Sequence, residues 1–427
     1  MNEFMAENPL KVLKITPFPQ GRAVHSAQRG TASYSKNLVL ALCRQGTVVE
    51  VTILANKLKC DSSVVVERDE INNAVKEKGT AGSGKYQIIR CWREGGIGFL
   101  KILLAVWRRR AEVDVIHLQH EYGQFGRKTA FLLFPFFLAA LKLLRKPIVV
   151  TLHGLVTGKD ITKPFREQHF LNKYSSLMSF YFDFTNKCIP RLAAAVIVHW
   201  EAHKAALMDE YHIPGQKIAV IPHGIEIRQD AIPQDTAKKV LKTEGRRTLL
   251  FWGYLAGYKG LEVLIEAFRL LAGSGYKLII AGGEHKHLRW NRRYRRFIDD
   301  CIEKAGSISG EITFTGFVPE EKIPLYFCAA DLVIFPYPEM HACSGPFSLA
   351  LAYQCDFIVS QAFASFYGLP SEASFEYDAV SLSRAINKFF QSEEISHTLK
   401  SWRHKYTGIW HWDNAAECTL KLYKEIL

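Results

Sequence analysis

The chain has no pair of cysteines at metal-ligand spacing. Its nine cysteines are scattered singly and odd in number, which excludes a zinc ribbon and a fully paired disulfide framework. They read as reduced, mostly buried thiols of a cytosolic protein. A Ser/His/Asp hydrolase elbow, a Walker phosphate loop and a zincin helix are also missing. Gly-x-Gly occurs at Gly82-Ser83-Gly84, Gly96-Ile97-Gly98 and Gly273-Ser274-Gly275. None continues to a third glycine at dinucleotide-binding spacing, and the first and last precede strands rather than follow them. The start, Met1 to Lys11, carries Glu3 and Glu7 and lacks the apolar core of a signal peptide, which argues against export. Long hydrophobic runs are scarce too. The most apolar stretch, Ala130 to Leu144, contains Pro135 and Lys142; it is too short to cross a bilayer comfortably and is expected as a buried helix. Acidic charge falls short of basic, leaving a net charge of +13, and this points to an anionic partner such as a nucleotide, a nucleic acid or an acidic membrane face.

What is present reads as two domains. At 427 residues the chain exceeds what one hydrophobic core serves. Hydrophobic content of 48% with 23% charged residues is globular. Strand patterns occur at Val12 to Phe18, Val48 to Leu54, Tyr86 to Cys91, Val115 to Leu118, Ile148 to Leu152, Ala195 to Val198 and Ile218 to Ile221, with helical patterns between most of them. This alternation predicts a parallel, doubly wound α/β sheet. Ile225 to Arg247 is polar, contains Pro233 and reads as a linker. The plan then repeats, with strands at Leu249 to Trp252, Lys277 to Ala281, Ile312 to Phe314, Leu332 to Phe335 and Phe357 to Val359. The expected division is residues 1–235, residues 236–395, and helices from 396 to 427 packing back on the first domain.

The chain is organised around Thr248 to Gly283, which reads as strand, glycine loop, helix and strand. Leu261, Leu264, Ile265, Phe268 and Leu271 recur at helical spacing. The preceding loop, Gly253 to Gly260, holds Lys259 immediately before the helix. Backbone amides at a helix start together with an ammonium group make a phosphate site. A cation there opposes the helix dipole by roughly 0.3–1 kcal/mol, so an anion is expected to join it. For Gly253 and Gly257 alone, turn geometry is an equal explanation.

In the first half, Gly30-Thr31 opens a helix and suits close approach by an anion, although an ordinary cap explains it as well. His120 and Glu121 stand at one strand end and His153-Gly154 at another. Carboxyl ends of parallel strands are where open α/β sheets bind ligands. An imidazole there can donate to a sugar hydroxyl or a developing oxyanion. His117 lies inside a strand and reads as structural. Glu121 is a candidate base or acceptor-hydroxyl ligand.

Taken in order, several short motifs resemble one known group. They are Gly30-Thr31-Ala32, His120-Glu121-Tyr122-Gly123, Thr151-Leu152-His153-Gly154, Ile221-Pro222-His223-Gly224-Ile225, Gly253 to Glu262, Ala281-Gly282-Gly283 and Phe314-Thr315-Gly316-Phe317-Val318. The set resembles the retaining GT-B glycosyltransferases of family 4, over about residue 10 to the end. The resemblance implies two Rossmann-like doubly wound domains facing a central cleft, with a nucleoside diphosphate sugar bound mainly by the second. It implies no metal or cofactor. Carried onto this chain, it gives Lys259 and the Gly30-Thr31 amides the donor diphosphate and gives His153 the transferred sugar. Gly253, Tyr254, Gly282, Phe317, Val318, Glu339, Ser344, Gly345 and Pro346 would line the donor site, with His120 and Glu121 on the acceptor side.

Two departures from the family stand out. An arginine usually precedes the lysine of the loop, and here the positions hold Tyr254 and Leu255. The family's pair of glutamates falls, by register, on His341 and Leu349 or on Ala342 and Ala350. No carboxylate stands at either choice. Glu339 and the amides of Ser344 and Gly345 are the nearby substitutes. A silent GT-B binding protein, or another GT-B enzyme such as an epimerase or phosphorylase, therefore stays open beside a transferase acting on a glycan or lipid-linked acceptor. Ile97 to Val106 followed by Trp107-Arg108-Arg109-Arg110 suits either a buried helix or one lying at the inner face of an anionic membrane. The basic and aromatic run Arg289 to Phe297 reads as a solvated face or a contact to lipid or acidic glycan in preference to a nucleic-acid platform.

Overall fold

The computed structural model describes residues 9–19, 30–45, 49–57, 66–68, 84–126, 129–171, 175–285, 288–306, 308 and 311–427. Gly82-Ser83, residues 20–29 and the first eight residues lie outside the described residues. By chain contacts the molecule divides into two compact units. One comprises Met1–Gly158, Leu177–Gly224 and Trp410–Leu427, the other Lys159–Ser176 and Ile225–Ile409. A short excursion of the first half thus belongs to the second unit, and the final helix belongs to the first.

The elements of the first half are β1 (Leu10–Ile15), α1 (Gly30–Arg44), β2 (Val49–Asn56), β3 (Val66–Arg68), β4 (Lys85–Trp92), α2 (Gly96–Arg109), β5 (Val115–His120), α3 (Thr129–Lys142), β6 (Ile148–Leu152), α4 (Lys163–Gln168), α5 (Ser175–Leu192), β7 (Ala195–Val198), α6 (Glu201–Asp209) and β8 (Ile218–Val220). The sheet order is β3-β4-β2-β1-β5-β6-β7-β8. All neighbours are parallel except β3, which pairs antiparallel with β4 at the edge.

Alternation along the strands sends their side chains to two different layers. Leu13, Ile116, Leu118, Val150 and Val196 pack with Phe99, Phe134, Leu138 and Ile189 of α2, α3 and α5. Val12, Val115, Val149 and Ile197 pack on the other side with Tyr34, Leu38 and Leu42 of α1 and with Trp412, Ala416 and Tyr423. Those last three lie on the C-terminal helix Trp412–Glu425. That helix is also tied to α1 by Arg44, whose guanidinium donates to Asp413 Oδ1 at 2.8 Å.

The second half continues with α7 (Gln234–Leu241), β9 (Arg247–Trp252), α8 (Leu261–Leu270), β10 (Tyr276–Ala281), α9 (Arg292–Gly306), β11 (Ile312–Gly316), α10 (Ile323–Ala329), β12 (Leu332–Phe335), α11 (Gly345–Ala352), β13 (Phe357–Ser360), α12 (Gln361–Tyr367), β14 (Ser374–Phe375), α13 (Ala379–Gln391), α14 (Glu394–Ile409) and α15 (Trp412–Glu425). Its sheet is parallel throughout, in the order β11-β10-β9-β12-β13-β14. Both sheets and their helices form the expected α/β architecture of two Rossmann-like units.

Three readings are refined by the structure. The polar stretch expected as a linker contains α7, which ends where Lys242 turns left-handed at φ 55°. The terminal helical stretch is two helices, α14 and α15, split at Trp410–His411. Ala130 to Lys142 is helical through Pro135, with Leu143 and Leu144 in the turn that follows, and the stretch is not buried all round: Leu132, Leu133, Phe136 and Leu143 are exposed. Among the described residues no helix is long and apolar enough to cross a membrane. The eight described cysteines are free thiols.

Candidate active site

In the second unit the site is built where β9, β10 and β12 end. Gly260 adopts φ +68°, and a Cβ placed on it would meet the Pro336 carbonyl oxygen at 1.6 Å. Only glycine allows this turn to close on the end of β12. A Cβ on Gly282 would meet the Gly253 carbonyl oxygen at 1.7 Å, so the loops after β9 and β10 touch backbone to backbone. These two contacts bring Lys259 over Tyr337, with its ammonium nitrogen 3.8 Å from the ring centroid. A second ring, Tyr258, lies 5.4 Å away. Burial lowers the Lys259 pKa to about 7, because the aromatic faces only partly replace the water lost by the ammonium. An arriving anion would restore its charge.

The excursion Lys159–Ser176 completes this seat. His169 stacks flat on Tyr258 at 4.8 Å, and the Gln168 backbone closes over Gly257. Burial, followed by the nearby His341, holds His169 down at about 4, so it stays neutral near pH 7. Tyr254, standing in place of the expected arginine, packs on His285 at 5.0 Å. Leu255 is buried, and its carbonyl accepts from the Tyr294 hydroxyl at 2.7 Å.

The region expected to supply the glutamate pair is rearranged. His341 Nε2 lies 3.2 Å from Glu339 Oε2, and its Nδ1 lies 3.7 Å from Asp160 Oδ2. Two carboxylates thus converge on one imidazole, and Glu339 stands within the donor-side unit. Ala350 is fully buried and presents nothing polar. Ser344 caps α11 and accepts from the Phe347 amide at 3.4 Å. Its own amide donates to the Tyr367 hydroxyl at 2.8 Å, so it is engaged, whereas Gly345 opens the helix at an exposed position with Pro346 beside Gly253. Val318 is buried and Phe317 is 60% exposed.

In the first unit, β1, β5, β6 and β7 bring an unbroken polar stripe to the side of α1 and α15. Lys14 Nζ lies 3.1 Å from His117 Nδ1, which also meets the Tyr423 hydroxyl. His117 Nε2 lies 2.7 Å from Thr151 Oγ1 and 3.2 Å from the Gln119 side-chain amide. The other arm of that amide lies 2.6 Å from His153 Nε2. His153 Nδ1 faces His199 Nε2 at 3.4 Å, and His199 Nδ1 lies 2.8 Å from the Ile221 carbonyl.

The polarity of this chain is fixed at its His199 end. Ile221 O can only accept, so a neutral His199 carries its proton on Nδ1 and leaves Nε2 as an acceptor. If Gln119 turned its oxygen to His153, two lone pairs would oppose each other between His153 and His199. Turning the amide removes the conflict. Gln119 then donates to His153 Nε2 and accepts from His117 Nε2, which leaves the one lone pair of His117 Nδ1 to accept from Lys14 or Tyr423. His153 therefore carries its proton on Nδ1. Burial and the neighbouring His199 and His223 push its pKa well down, so the ring is neutral. Burial likewise lowers Lys14, which is wholly enclosed, to about 7. The Tyr34 ring closes the stripe edge-on to His153 at 4.7 Å.

The other expected residues of this unit are placed differently from one another. The Thr31 hydroxyl, in the first turn of α1, donates to Glu121 Oε2. This joins two of the candidates, and it sets a carboxylate at the helix start where a diphosphate would meet like charge. Gly30 is exposed beside it. His120 points to the opposite layer, stacked on Phe134 at 4.3 Å and lowered by burial to about 3. Neither of its ring nitrogens has a hydrogen-bond partner among the described residues.

The comparisons follow the same two halves. Residues 28–229 match the model of Glycosyltransferase Family 4, and residues 233–351 match that of Glycosyl transferases group 1. Among solved structures, sucrose-phosphate synthase from Thermosynechococcus elongatus shares the fold at TM-score 0.71 and 18% identity, covering 98% of this chain and 99% of its own. The trehalose-6-phosphate synthase OtsA aligns at TM-score 0.70 and 12% identity, with 98% and 99% covered. HepE of Anabaena, solved with UDP and glucose, aligns at 0.65 and 12%, with 97% and 100% covered. No curated protein sequence matches the chain. The two domain matches on this doubly wound fold define the chain as a glycosyltransferase of the GT-B type.

Proposed function

We propose that this transferase moves a sugar from a nucleoside diphosphate sugar to a glycan or lipid-linked acceptor, with retention and without a metal. The observation that carries the reading is the seat of Lys259: a partly desolvated ammonium at the start of α8, between glycine turns whose backbones meet. Such a group gains most from a diphosphate, whose charge both restores the lysine proton and compensates the helix start. HepE, solved with UDP and with UDP-glucose, supports a nucleotide-sugar donor.

In the proposed reaction the bond between the anomeric carbon and the diphosphate oxygen breaks as the bond to the acceptor oxygen forms. Lys259 and the exposed amide end of α11 at Gly345 take up charge developing on the leaving diphosphate. The acceptor attacks from the side of the leaving group, and its hydroxyl proton passes to a phosphate oxygen. His153 offers Nδ1–H to a hydroxyl of the transferred sugar, exchanging its long contact with His199 for a shorter bond. Glu121, oriented by Thr31, receives an acceptor hydroxyl. Glu339 beside His341 is the carboxylate left for the donor sugar.

The same rearranged loop favours a second reading, a silent binding protein, because neither register supplies the paired carboxylates. Lys259→Ala distinguishes the phosphate assignment. Donor affinity and slow donor hydrolysis should both fall at least tenfold. Unchanged values would remove Lys259 from the site, and donor binding with no hydrolysis or transfer in the parent protein would favour the silent reading.

A further inference from the structure

We propose that the first unit docks on an anionic lipid surface through the outer faces of α2, α3 and α5. On α2, Ile97, Leu100, Leu104 and Trp107 are exposed at 74%, 67%, 46% and 50%. Their spacing of three and four places them on one side of the helix, opposite Phe99, Ile102 and Val106 in the core. On α3, Leu132, Leu133 and Phe136 are exposed, and on α5, Leu177 and Phe180. The three helices are neighbours in one layer. Phe99 of α2 stacks on Phe137 of α3 at 4.3 Å, and Phe131 of α3 packs on Phe182 of α5 at 5.6 Å. Their exposed apolar groups therefore form one surface rather than scattered singles, and such surfaces mark interaction sites.

Charge identifies the occupant. The sequences of α2 and α3 contain no Asp or Glu. The one acid of α5, Asp183, is held by the Gly158 amide and the Tyr211 hydroxyl. Basic residues stand exposed along the same helices: Lys101 and Arg108 on α2, Lys142 on α3, Lys187 and Arg191 on α5. Arg110 folds over Trp107 with its guanidinium carbon 4.8 Å from the ring centroid, pairing a charge with an aromatic at the lower rim. A second copy of the same face would set like charges against each other. An anionic leaflet satisfies both halves, apolar groups entering the acyl boundary and lysines and arginines meeting the headgroups.

Position gives the surface a use. Each of these helices returns antiparallel to the strand before it, so its first turn lies at the carboxyl edge of the sheet. Ile97, Leu132 and Leu177 occupy those first turns. Glu121 and His153 follow β5 and β6 at that same edge. The proposal deepens the acceptor half of the function above: a lipid-linked acceptor held in the leaflet reaches Glu121 without leaving the membrane.

The test is co-sedimentation of the full-length protein with vesicles of phosphatidylcholine containing phosphatidylglycerol, against phosphatidylcholine alone. Binding to the anionic vesicles, weakened by salt, is expected. Leu100→Gln with Trp107→Gln should abolish it, and Arg108→Glu with Arg110→Glu should reduce it by at least about fivefold per charge. Donor hydrolysis without vesicles should be unchanged in all variants, which separates failure of this surface from failure of the transferase reading. Parent protein that ignores anionic vesicles, or variants that bind like the parent, would overturn the proposal. So would a dimer that Leu100→Gln with Trp107→Gln converts to monomer, since a second copy would then be the occupant.

Discussion

Binding of the donor should take up a proton, and Lys259 sets the amount. Its pKa stands at about 7 in the free protein, so at pH 8 about nine-tenths of the amine is neutral. A diphosphate against it favours the charged form and returns the pKa toward the ordinary lysine value of about 10.4. Uptake of about 0.9 proton per donor bound follows at pH 8. The sign is that of a group whose pKa rises on binding. Affinity is full below pH 7 and falls as pH rises above it, by close to tenfold or about 1.4 kcal/mol per unit. A nucleoside diphosphate sugar is the right ligand, because its esterified phosphates lack the ionisation near pH 6 of a terminal phosphate. Calorimetry at pH 8 in buffers of differing ionisation enthalpy reads the uptake directly. Lys259→Met should bind more weakly and take up none. Donor binding by the parent protein with no proton uptake, or the same uptake in Lys259→Met, would remove Lys259 from the diphosphate.

Gly260→Ala should destabilise the second unit by about 2–5 kcal/mol, the sum of a left-handed residue and a displaced Pro336 carbonyl. Chemical denaturation checks it, and a loss below about 1 kcal/mol would show that the turn relaxes freely. Lys14 has a folded pKa of about 7, below that of the unfolded chain, which therefore binds more protons. Its contribution makes stability rise by about 1 kcal/mol between pH 7 and 8, below the range where the buried thiols ionise in the unfolded chain. Lys14→Met should remove that rise, and an unchanged slope in denaturation midpoints would place the charge elsewhere. Nitrogen-15 NMR should find the His153 proton on Nδ1, and a proton on Nε2 would reverse the assigned polarity of the stripe.

Much of the fold was legible because buried parallel strands are short apolar runs. Ile148 to Leu152, Ala195 to Val198 and Leu332 to Phe335 run as the composition indicates. β3 and β14 were not, being three and two residues long and defined by pairing alone. Lys259 was readable from its place before a helix. The tyrosine beneath it was not, because Tyr337 comes from the next strand over and depends on Gly260 meeting Pro336.

The polar stripe has a signal in the sequence. Lys14 within Val-Leu-Lys-Ile, and His117 and Gln119 within Val-Ile-His-Leu-Gln-His, alternate with apolar residues. That pattern puts His117 and Gln119 on one face of β5, and the parallel register that sets Lys14 opposite His117 adds the lysine. Sequence spacing joined His120 to Glu121, but strand alternation separates them: His120 enters the aromatic layer while Glu121 reaches Thr31. His169 and Asp160 were invisible as site residues, since nothing local shows that their segment belongs to the second unit.

This GT-B-type chain is proposed to use a nucleoside diphosphate sugar. Calorimetric titration with a panel of such donors, followed by assay of the bound one for slow hydrolysis, tests it most directly. One donor should bind and be hydrolysed, with both properties weakened by Lys259→Ala. Failure of every donor to bind would contradict it and leave the rearranged loop at Glu339 and His341 as the mark of a protein that kept the fold without the transfer.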